Sequence, residues 1–307
     1  MTKVFIDGSA GTTGLRIHER LQDRSDLQLI ILPDALRKDD NARKEALHAA
    51  DIAFLCLPDA AAVQAVQLAE GSNVAIIDTS TAHRTADGWV YGFAELPGKR
   101  EALKGAKRVA NPGCHASGFV ALVEPLVREG LIAPDLGLQS FSLTGYSGGG
   151  KGMIADYQAD GRDPLLEAPR QYGLTQQHKH LKEMVKLCGL GTAPVFCPIV
   201  ADYYSGMEVV VPLFAKDLKG TPDDVKQLYQ SCYHTAMVHY NSDAAEGGFL
   251  SANALSGRDD MQITVCGNEE RILLVARFDN LGKGASGAAI QNMNIMLGLD
   301  ETTGLNV

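Results

Sequence analysis

The sequence predicts an α/β protein in which a domain built on a parallel sheet is interrupted by an inserted α+β domain. Three observations support this fold class. Short apolar runs alternate with helical stretches near the start of the chain, a glycine-rich loop follows the first run, and residues 138–278 contain a second set of strand-like runs. Strands separated by helices form βαβ units, and βαβ units build parallel sheets.

Hydrophobic periodicity places the elements of the first domain. Short continuous apolar runs predict buried strands, and apolar residues spaced three or four apart predict helices. The predicted strands are 3–6, 27–32, 52–57 and 74–78, and the predicted helices are 15–23, 43–50 and 60–70. We expect this domain to comprise residues 1–113 and, after the insertion, residues 285–307.

Residues 114–284 are expected to form the inserted domain. The runs 139–145, 207–214, 262–267 and 271–278 predict an antiparallel sheet with helices on one face. A sheet with an exposed face of this kind often pairs between subunits. We therefore expect a homo-oligomer, either a dimer or a tetramer.

Composition and charge exclude several classes of protein. The chain of 307 residues has a formal charge of −9 and a pI near 5.4, which argues against a nucleic-acid partner. Its six cysteines form no C-x-x-C pair, so we expect no structural zinc. Because the first residues lack a signal-peptide pattern and no apolar run is long enough to cross a bilayer, we expect neither a signal peptide nor a membrane span. We expect a cytoplasmic protein without a membrane partner.

The loop after the first strand predicts a dinucleotide site. Glycines occupy positions 8, 11 and 14, and Ser9, Thr12 and Thr13 lie between them. In a Rossmann-type domain, such a loop directs backbone N–H groups and the positive end of a helix at a pyrophosphate. The spacing differs from the commoner G-x-G-x-x-G, and a plain glycine turn is the alternative.

The residues alone leave the choice between NAD and NADP open. Asp34 lies near the end of the second strand, where a carboxylate would accept from a ribose hydroxyl and favour NAD. Arg37 and Lys38 follow closely, and their charges would suit a 2′-phosphate. A solvated loop of mixed charge is the third interpretation.

Cys114 is the candidate nucleophile. It follows the turn residues 111–113 and precedes an apolar helix that is predicted from residue 116 onward. A helix N-terminus stabilises anions, and a thiolate is the reactive form of a cysteine. The alternative is a buried structural cysteine. A thiolate beside a dinucleotide site suggests acyl transfer to sulfur, followed by reduction of the thioester to an aldehyde.

Three motifs together resemble the N-acetyl-γ-glutamyl-phosphate reductase family. They are VANPGCHASG around Cys114, HKHLKE at 178–183 and DNLGKGASGAAIQNMNIMLG at 279–298. The resemblance covers nearly the whole chain. It implies a glyceraldehyde-phosphate-dehydrogenase-like catalytic domain and NADPH as the cofactor. It also implies reduction of the acyl phosphate N-acetylglutamyl 5-phosphate to N-acetylglutamate 5-semialdehyde, a step of arginine biosynthesis.

The resemblance also implies roles for individual residues. Cys114 matches the family's nucleophile, and His178 matches its acid/base residue. Tyr172, His180 and Glu183 match positions that contact or orient the substrate. The chain departs from the family's usual pattern at three positions, with Lys179 between the histidines, Lys182 before the glutamate and His115 after the cysteine. A metal site at the two histidines is the rival interpretation, although no third ligand has a recognisable spacing.

A second glycine-rich segment is the candidate site for the acyl phosphate. In LTGYSGGGKGM, Ser147, Gly148 and the glycines after it expose backbone N–H groups, and Lys151 adds a positive charge. A flexible link between a strand and a helix is the alternative.

Three further ligand contacts are expected. Ser80 and Arg84 follow the fourth strand, where loops line the ligand crevice of parallel sheets; Arg84 resembles the arginine that ends the family's D-x-S-A-D-F-R motif. Asn280 opens the last motif, whose start lies near the nicotinamide in the family.

Two other functions are consistent with these residues. An aspartate-semialdehyde-type dehydrogenase would differ only in its substrate. A non-catalytic NADP-sensing protein would keep the glycine loop but would have no need for Cys114.

Overall fold

The computed structural model describes all residues, Met1–Val307, and contains two compact units. The first unit comprises Met1–Pro112 and Ala285–Leu305, and the second comprises Gly113–Gly284 with the last two residues.

The first unit alternates strands and helices along the chain, as the periodicity predicts. Its elements before the second unit are β1 (Thr2–Asp7), α1 (Thr12–Leu21), β2 (Leu27–Ile30), α2 (Asp40–Ala49), β3 (Ile52–Leu55), α3 (Asp59–Leu68), β4 (Ala75–Asp78), β5 (Val90–Tyr91), α4 (Lys99–Lys104) and β6 (Arg108–Ala110).

These strands form one sheet in the order β2-β1-β3-β4-β6-β5, and every pair is parallel. Val4 and Ile6 of β1 pack on one face with Ile17 of α1. Phe5, between them, packs on the opposite face with Leu47 of α2. Alternate side chains are therefore buried on both faces, and the predicted Rossmann-type sheet is confirmed.

The second unit also alternates strands and helices but builds a different sheet. Its elements are α5 (Cys114–Arg128), β7 (Gln139–Gly145), α6 (Gly150–Gln158), β8 (Arg170–Gln171), α7 (His180–Cys188), β9 (Val195–Ala201), β10 (Met207–Phe214), α8 (Pro222–Cys232), β11 (Val238–Tyr240), β12 (Met261–Gly267) and β13 (Arg271–Phe278). A π-helical turn, Gly282–Ser286, then leads into α9 (Gly287–Met296), which belongs to the first unit.

The four predicted strands of the second unit, β7, β10, β12 and β13, pair antiparallel as expected. The whole sheet is mixed, because strands that were not predicted add parallel pairs. Its strand order is β11-β12-β13-β10-β7-β9-β8. Strand β7 pairs in parallel with β9, and β11 pairs in parallel with β12. The segment from β7 to β9 contains two helices, and such a crossover returns the chain to the same end of the sheet.

Helix α5 is buried on nearly all sides of its axis and packs closely on β10 and β13. A Cβ atom on Gly118 would lie 2.6 Å from Cγ2 of Val209 and 2.9 Å from Cε1 of Phe278. Tyr229 of α8 and Tyr233, which follows that helix, donate through their hydroxyls to backbone carbonyls of α5. The position of Cys114 at the start of α5 is thus fixed by a packed core.

The opposite face of this sheet carries an exposed apolar patch. Phe141 pairs in register with both Val210 and Cys197, so the three side chains share that face. Phe214 and Leu273, which are 54% and 43% exposed, extend it. A monomer seldom leaves a contiguous apolar surface of this kind in water.

None of the helices is both long enough and apolar enough to span a lipid bilayer.

Candidate active site

Cys114 is the first residue of α5, and a buried carboxylate holds the turn before it. Gly113 has an extended backbone (φ −76°, ψ 143°), and no side chain caps the helix. The N–H of Gly113 donates to Oε1 of Glu183 over 2.7 Å, and Glu183 is 2% exposed. The thiol thus lies at the N-terminus of α5, where the helix dipole stabilises a negative charge. The helix begins two residues before the predicted position.

Five rings from three separate stretches of the sequence meet in the second unit. The ring centroids of His178 and His180 are 4.7 Å apart. The ring of His115 lies 5.7 Å from His178 and 5.4 Å from Phe196. Tyr172 lies 6.0 Å from both His115 and His178. The structure thus brings three of the predicted residues, His178, His180 and Tyr172, into one cluster.

The two histidines lie where α7 begins, as the sequence predicts. His180 is its first residue, and the backbone N–H of His180 donates to Nδ1 of His178 over 3.2 Å. Burial and the charge of Lys179 lower the pKa of His178. The ring of His178 is therefore neutral at neutral pH and carries its proton on Nε2. No group of three or more His, Cys, Asp or Glu side chains is arranged to hold a metal ion.

Tyr172 is within electrostatic reach of Cys114. Burial, and then the negative charge of a Cys114 thiolate, raise the pKa of the Tyr172 phenol above its usual value. The phenol therefore remains a hydrogen-bond donor at neutral pH. The backbone of Tyr172 is tied to β9, because its N–H donates to the carbonyl of Pro198 over 3.0 Å.

His115 also belongs to the cluster. The sequence had marked this residue only as a departure from the family pattern that could alter the surroundings of the thiol. The side chain is 3% exposed. Nδ1 lies 2.6 Å from Oγ of Ser142, and Nε2 lies 2.6 Å from the hydroxyl of Tyr172. Burial and the charge of His178 lower the pKa of His115 to about 3. The ring is therefore neutral near pH 7.

Gln176 ties the segment before His178 to β9, and no sequence pattern indicated this. Gln176 is the one non-glycine residue with a positive φ, 55°. Its side-chain amide accepts from the N–H of Phe196 over 2.9 Å and donates to the carbonyl of Phe196 over 2.7 Å. Both ends of the amide thus pair with β9 as a neighbouring strand would. The left-handed conformation is held at a cost of about 1–3 kcal/mol.

The second glycine segment is a turn that leads into α6. No acidic residue lies in the first turn of α6, no side chain caps it, and Lys151 belongs to that turn. This arrangement suits an anion. Ser147 is 1% exposed, and its Oγ accepts from Nδ2 of Asn280 over 3.0 Å.

Asn280 holds two elements of the second unit together. Besides its bond to Ser147, its Oδ1 accepts from the N–H of Gly206 over 2.9 Å, and the residue is 2% exposed. Four residues later, a Cβ on Gly284 would lie 3.0 Å from Cβ of Cys114. The segment 280–284 therefore runs from the glycine turn at Ser147 to the thiol. Asn280 has the surroundings of a positioning residue.

The loop of the first unit fits a pyrophosphate. Gly8 has φ +87°, and a Cβ there would lie 2.3 Å from the carbonyl oxygen of Cys56; a Cβ on Gly14 would lie 2.4 Å from the carbonyl oxygen of Gly8. Only glycine fits either position. Helix α1 begins at Thr12 after Gly11, with no capping side chain and no acidic residue in its first turn. The first turn of this helix therefore contributes no negative charge of its own, which suits an anionic ligand at its N–H groups.

The loop after β2 carries the charges that would choose between the cofactors. Arg37 is partly exposed, and its guanidinium lies 3.2 Å from the carboxylate of Asp34, whose side chain is 90% exposed. Lys38 is exposed beside them. An exposed ion pair of this kind is weak, so either charge is available to a ligand.

The loop after β4 is held by its own side chains. Ser80 donates through Oγ to Oδ2 of the buried Asp78 over 2.7 Å. Nδ1 of His83 lies 2.6 Å from the same carboxylate oxygen. Arg84 donates to the carbonyl oxygens of Asn111 and Thr79 over 2.9 and 3.0 Å. Arg84 thereby ties this loop to the turn before Cys114.

Comparison with known families matches both units. Residues 114–280 match the family model described as semialdehyde dehydrogenase, dimerisation domain. Residues 32–106 match the model described as semialdehyde dehydrogenase, NAD binding domain. Together with the glycine loop, the second match indicates that the cofactor is a nicotinamide dinucleotide.

Solved structures of semialdehyde dehydrogenases share the fold. Aspartate semialdehyde dehydrogenase II of Vibrio cholerae, complexed with ASA, has a TM-score of 0.71 at 14% identity, covering 97% of this chain and 98% of that one. The Candida albicans enzyme with NADP has a TM-score of 0.68 at 15% identity, with the same coverage. At these identities the likeness establishes the fold.

Relatives with much higher identity specify the family. N-acetyl-gamma-glutamyl-phosphate reductase 2 of Nostoc sp. is 44% identical over 99% of both chains. N-acetyl-gamma-glutamyl-phosphate reductase of Brucella ovis is 46% identical over 96% of this chain and 99% of the relative. On this nearly full-length similarity, the chain belongs to the N-acetyl-γ-glutamyl-phosphate reductase family of oxidoreductases.

Proposed function

We propose that this protein reduces N-acetylglutamyl 5-phosphate to N-acetylglutamate 5-semialdehyde and phosphate with NADPH, as a step of arginine biosynthesis. The observation that carries the proposal is the placement of Cys114 at the start of α5, where Glu183 holds the preceding turn. The names of the relatives at 44–46% identity support the substrate.

The first unit provides the residues that would hold the cofactor. The backbone of the loop from Gly8 to Gly14, with Ser9, Thr12 and Thr13, would bind the pyrophosphate. Arg37, assisted by Lys38, would bind the 2′-phosphate of NADP, and Ser80 would contact the dinucleotide. When bound, the reduced nicotinamide supplies the hydride for reduction of the acyl group.

Cys114 performs the acyl transfer. Its Sγ attacks the acyl carbon, a carbon–sulfur bond forms, and the bond from that carbon to the phosphate oxygen breaks. The phosphate leaves with the bonding electron pair. The N–H groups at Ser147 and Gly148 and the charge of Lys151 would hold the phosphate, and Arg84 would position the loop that precedes the thiol.

His178 is the proton donor to the acyl oxygen. Because its Nδ1 accepts from the N–H of His180, Nε2 carries the proton of the neutral ring. A donor at this position stabilises negative charge on the acyl oxygen as the carbon becomes tetrahedral. Tyr172 and His180 would contact the substrate, and Glu183 acts through the turn at Gly113.

The assembly would be a homo-oligomer that pairs through the exposed apolar sheet face around Phe141 and Val210. The match of residues 114–280 to a dimerisation domain supports this. Light scattering should give at least twice the monomer mass of 32.8 kDa. Val210→Lys, which puts a charge on the face, should give monomers, and Val63→Lys, on the exposed side of α3, should not. A monomeric wild type would contradict the assembly.

The activity is tested in the reverse direction, by NADP⁺ reduction with N-acetylglutamate 5-semialdehyde and phosphate. We expect activity in the wild type and its loss in Cys114→Ser. Cys197→Ser, a cysteine on the outer face of β9, is the matched control and should retain activity.

Assays with a second aldehyde substrate distinguish this reaction from the two alternative functions. Activity with aspartate semialdehyde in place of the acetylated substrate would indicate the related dehydrogenase. NADP binding without activity towards either aldehyde, or an unimpaired Cys114→Ser variant, would contradict the proposed reaction and favour a dinucleotide sensor.

A further inference from the structure

Asp279 is a buried carboxylate to which the reaction described above assigns no role. It follows the last residue of β13 and is 0% exposed. Its Oδ1 accepts from the N–H of Leu281 over 2.8 Å. Its Oδ2 accepts from the N–H of Gly257 over 2.5 Å and from the hydroxyl of Ser205 over 3.1 Å. Donors from three stretches of the second unit thus converge on one carboxylate, which offsets the cost of burying it.

The backbone of Asp279 shapes the chain that follows it. Its carbonyl oxygen accepts from the N–H groups of Gly282 and Gly284, over 3.0 Å each. A Cβ on Gly282 would overlap the carbonyl oxygen of Arg258. Asp279 therefore holds the first residues of the π-helical turn through its backbone, and its side chain ties the same segment to the neighbouring loops. Turns of this kind are frequent at functional sites.

The segment that Asp279 holds lies directly against the nucleophile. A Cβ on Gly284 would lie 3.0 Å from Cβ of Cys114 and 3.3 Å from Cε2 of Phe278. Because carbon atoms pack best at about 3.5–4.0 Å, a side chain at position 284 has no room. The backbone of Gly284 itself therefore occupies the space on one side of the Cys114 Cβ, and the sulfur is excluded from that side.

We propose that Asp279 is a positioning residue for the nucleophile. By holding the turn at Gly282 and Gly284, it keeps the backbone of Gly284 against Cβ of Cys114 and so limits the directions in which the thiol can point. The inference deepens the proposed function, on which its catalytic meaning rests. Asp279 acts through Gly284 and takes no part in the acyl transfer itself.

Packing alone does not account for the carboxylate. Asparagine would fill nearly the same volume at position 279, but an amide has one acceptor oxygen where a carboxylate has two. Whichever way the amide is oriented, the N–H of Leu281 or that of Gly257 would face an NH2 group. Asp279→Asn therefore leaves the core filled and loosens the segment, which separates hydrogen bonding from packing.

The test uses three variants and a matched control. Asp279→Asn loosens the turn, Gly284→Ala places a methyl group against Cys114, and the third variant combines both changes. Tyr229→Phe is the control, because it removes a buried hydrogen bond to the carbonyl of Leu122 in α5 and leaves the turn intact. Circular dichroism and the urea midpoint establish that each variant is folded.

The first measurement is alkylation of Cys114 by two reagents of different size, iodoacetamide and N-phenylmaleimide, without substrate or dinucleotide. Mass spectrometry follows each adduct on the Cys114 peptide at one pH. Both reagents need the thiolate, so the ratio of their rates reports the space around the sulfur. We expect the ratio of the maleimide rate to the iodoacetamide rate to rise by about threefold in Asp279→Asn, as the thiol gains all three staggered positions of χ1. It should stay unchanged in Tyr229→Phe.

The second measurement separates kcat from KM in the NADP⁺ reduction assay. In Asp279→Asn, kcat should fall by about threefold or more, because the productive position of the thiol is less populated. KM for NADP⁺ and for the aldehyde should not change. Gly284→Ala should lower kcat as well, and the double variant should be no worse than the poorer single variant, since both changes act at one contact. Tyr229→Phe should keep its kcat although its urea midpoint falls.

Four results would overturn the inference: an unchanged rate ratio in Asp279→Asn, an increase in KM in place of a lower kcat, an equal effect in Tyr229→Phe, or effects that add in the double variant. If Gly284→Ala does not fold, Asp279→Asn and Tyr229→Phe still decide the question. A wild type without reductase activity would refute the proposed reaction. The alkylation ratio needs neither substrate nor cofactor, so it tests Asp279 separately.

Discussion

The backbone N–H of Gly113 and the buried carboxylate of Glu183 are joined by a hydrogen bond of 2.7 Å between residues 70 positions apart. This bond connects α7 to the turn from which Cys114 emerges. It takes the place of the side-chain cap that α5 lacks. The placement of the thiol therefore depends on a side chain that lies 70 positions away in the sequence.

Replacing Glu183 should damage both stability and catalysis. Glu183→Ala leaves a buried N–H at Gly113 without its acceptor, which costs about 1–3 kcal/mol. A displaced nucleophile should reduce kcat by about a hundredfold. Glu183→Gln keeps an acceptor oxygen and is the matched control, with smaller effects on both quantities. Urea unfolding and the NADP⁺ reduction assay measure them; an unchanged unfolding free energy in Glu183→Ala would refute the role of this bond.

Gln176 should prove strained and yet stabilising. Gln176→Ala removes both hydrogen bonds to Phe196 but keeps a Cβ at φ 55°, whereas Gln176→Gly removes the same bonds and tolerates the backbone. We expect Gln176→Gly to be the more stable of the two variants by about 1 kcal/mol in urea unfolding. Equal stabilities would show that the left-handed conformation carries no strain.

Sequence patterns predicted the strands better than the contacts between them. Strand β13 has the predicted bounds, and β1 and β7 lie where their apolar runs indicated, because these patterns are local. The parallel pairing of β7 with β9 was missed, because two intervening helices decide it.

The residue types of the candidate site could be predicted from the sequence, but the hydrogen bonds that join these residues could not. Cys114, the histidine pair and the glycine loops were found from turn chemistry and from the family motifs. The bond from His115 to Tyr172 joins residues 57 apart, and the φ of Gln176 depends on its pairing with β9. No local pattern encodes either feature. The only hint in the sequence was at position 115, where the family commonly has tyrosine or phenylalanine and this chain has a histidine.

Acid should destabilise the second unit partly through His115. The folded ring keeps its neutral form down to about pH 3 because burial and the charge of His178 lower its pKa. In the unfolded chain a histidine binds its proton near pH ~6.5. Between these values the unfolded state binds more protons, so stability falls as the pH falls, by about 1.4 kcal/mol per pH unit.

His115→Phe removes that contribution. Its unfolding free energy should fall less steeply than that of the wild type between pH 6.5 and 5. At neutral pH it should start from a lower value, because two hydrogen bonds are lost. The lowered pKa of His178 acts with the same sign, so some slope should remain. Parallel slopes for the two proteins, measured by urea unfolding, would contradict a buried neutral His115.

The loop after β2 should determine the preference for NADP. Arg37→Ala should raise KM for NADP⁺ by about tenfold, the loss of one charge-assisted contact, and leave KM for NAD⁺ nearly unchanged. Asp34→Ala is the matched control, because it removes the ion-pair partner of Arg37 and should not weaken NADP⁺ binding. Equal increases in KM for both dinucleotides in Arg37→Ala would argue against a 2′-phosphate site here.

The central claim is that the acyl group passes through Cys114, and the covalent intermediate tests it most directly. Incubation with N-acetylglutamate 5-semialdehyde and NADP⁺ in the absence of phosphate should oxidise the bound aldehyde once and leave the thioester without its acceptor. Mass spectrometry should then find one N-acetylglutamyl group on the peptide that contains Cys114, with about one equivalent of NADPH formed per active site. NADPH formation without acylation of Cys114, or acylation at another residue, would contradict the account.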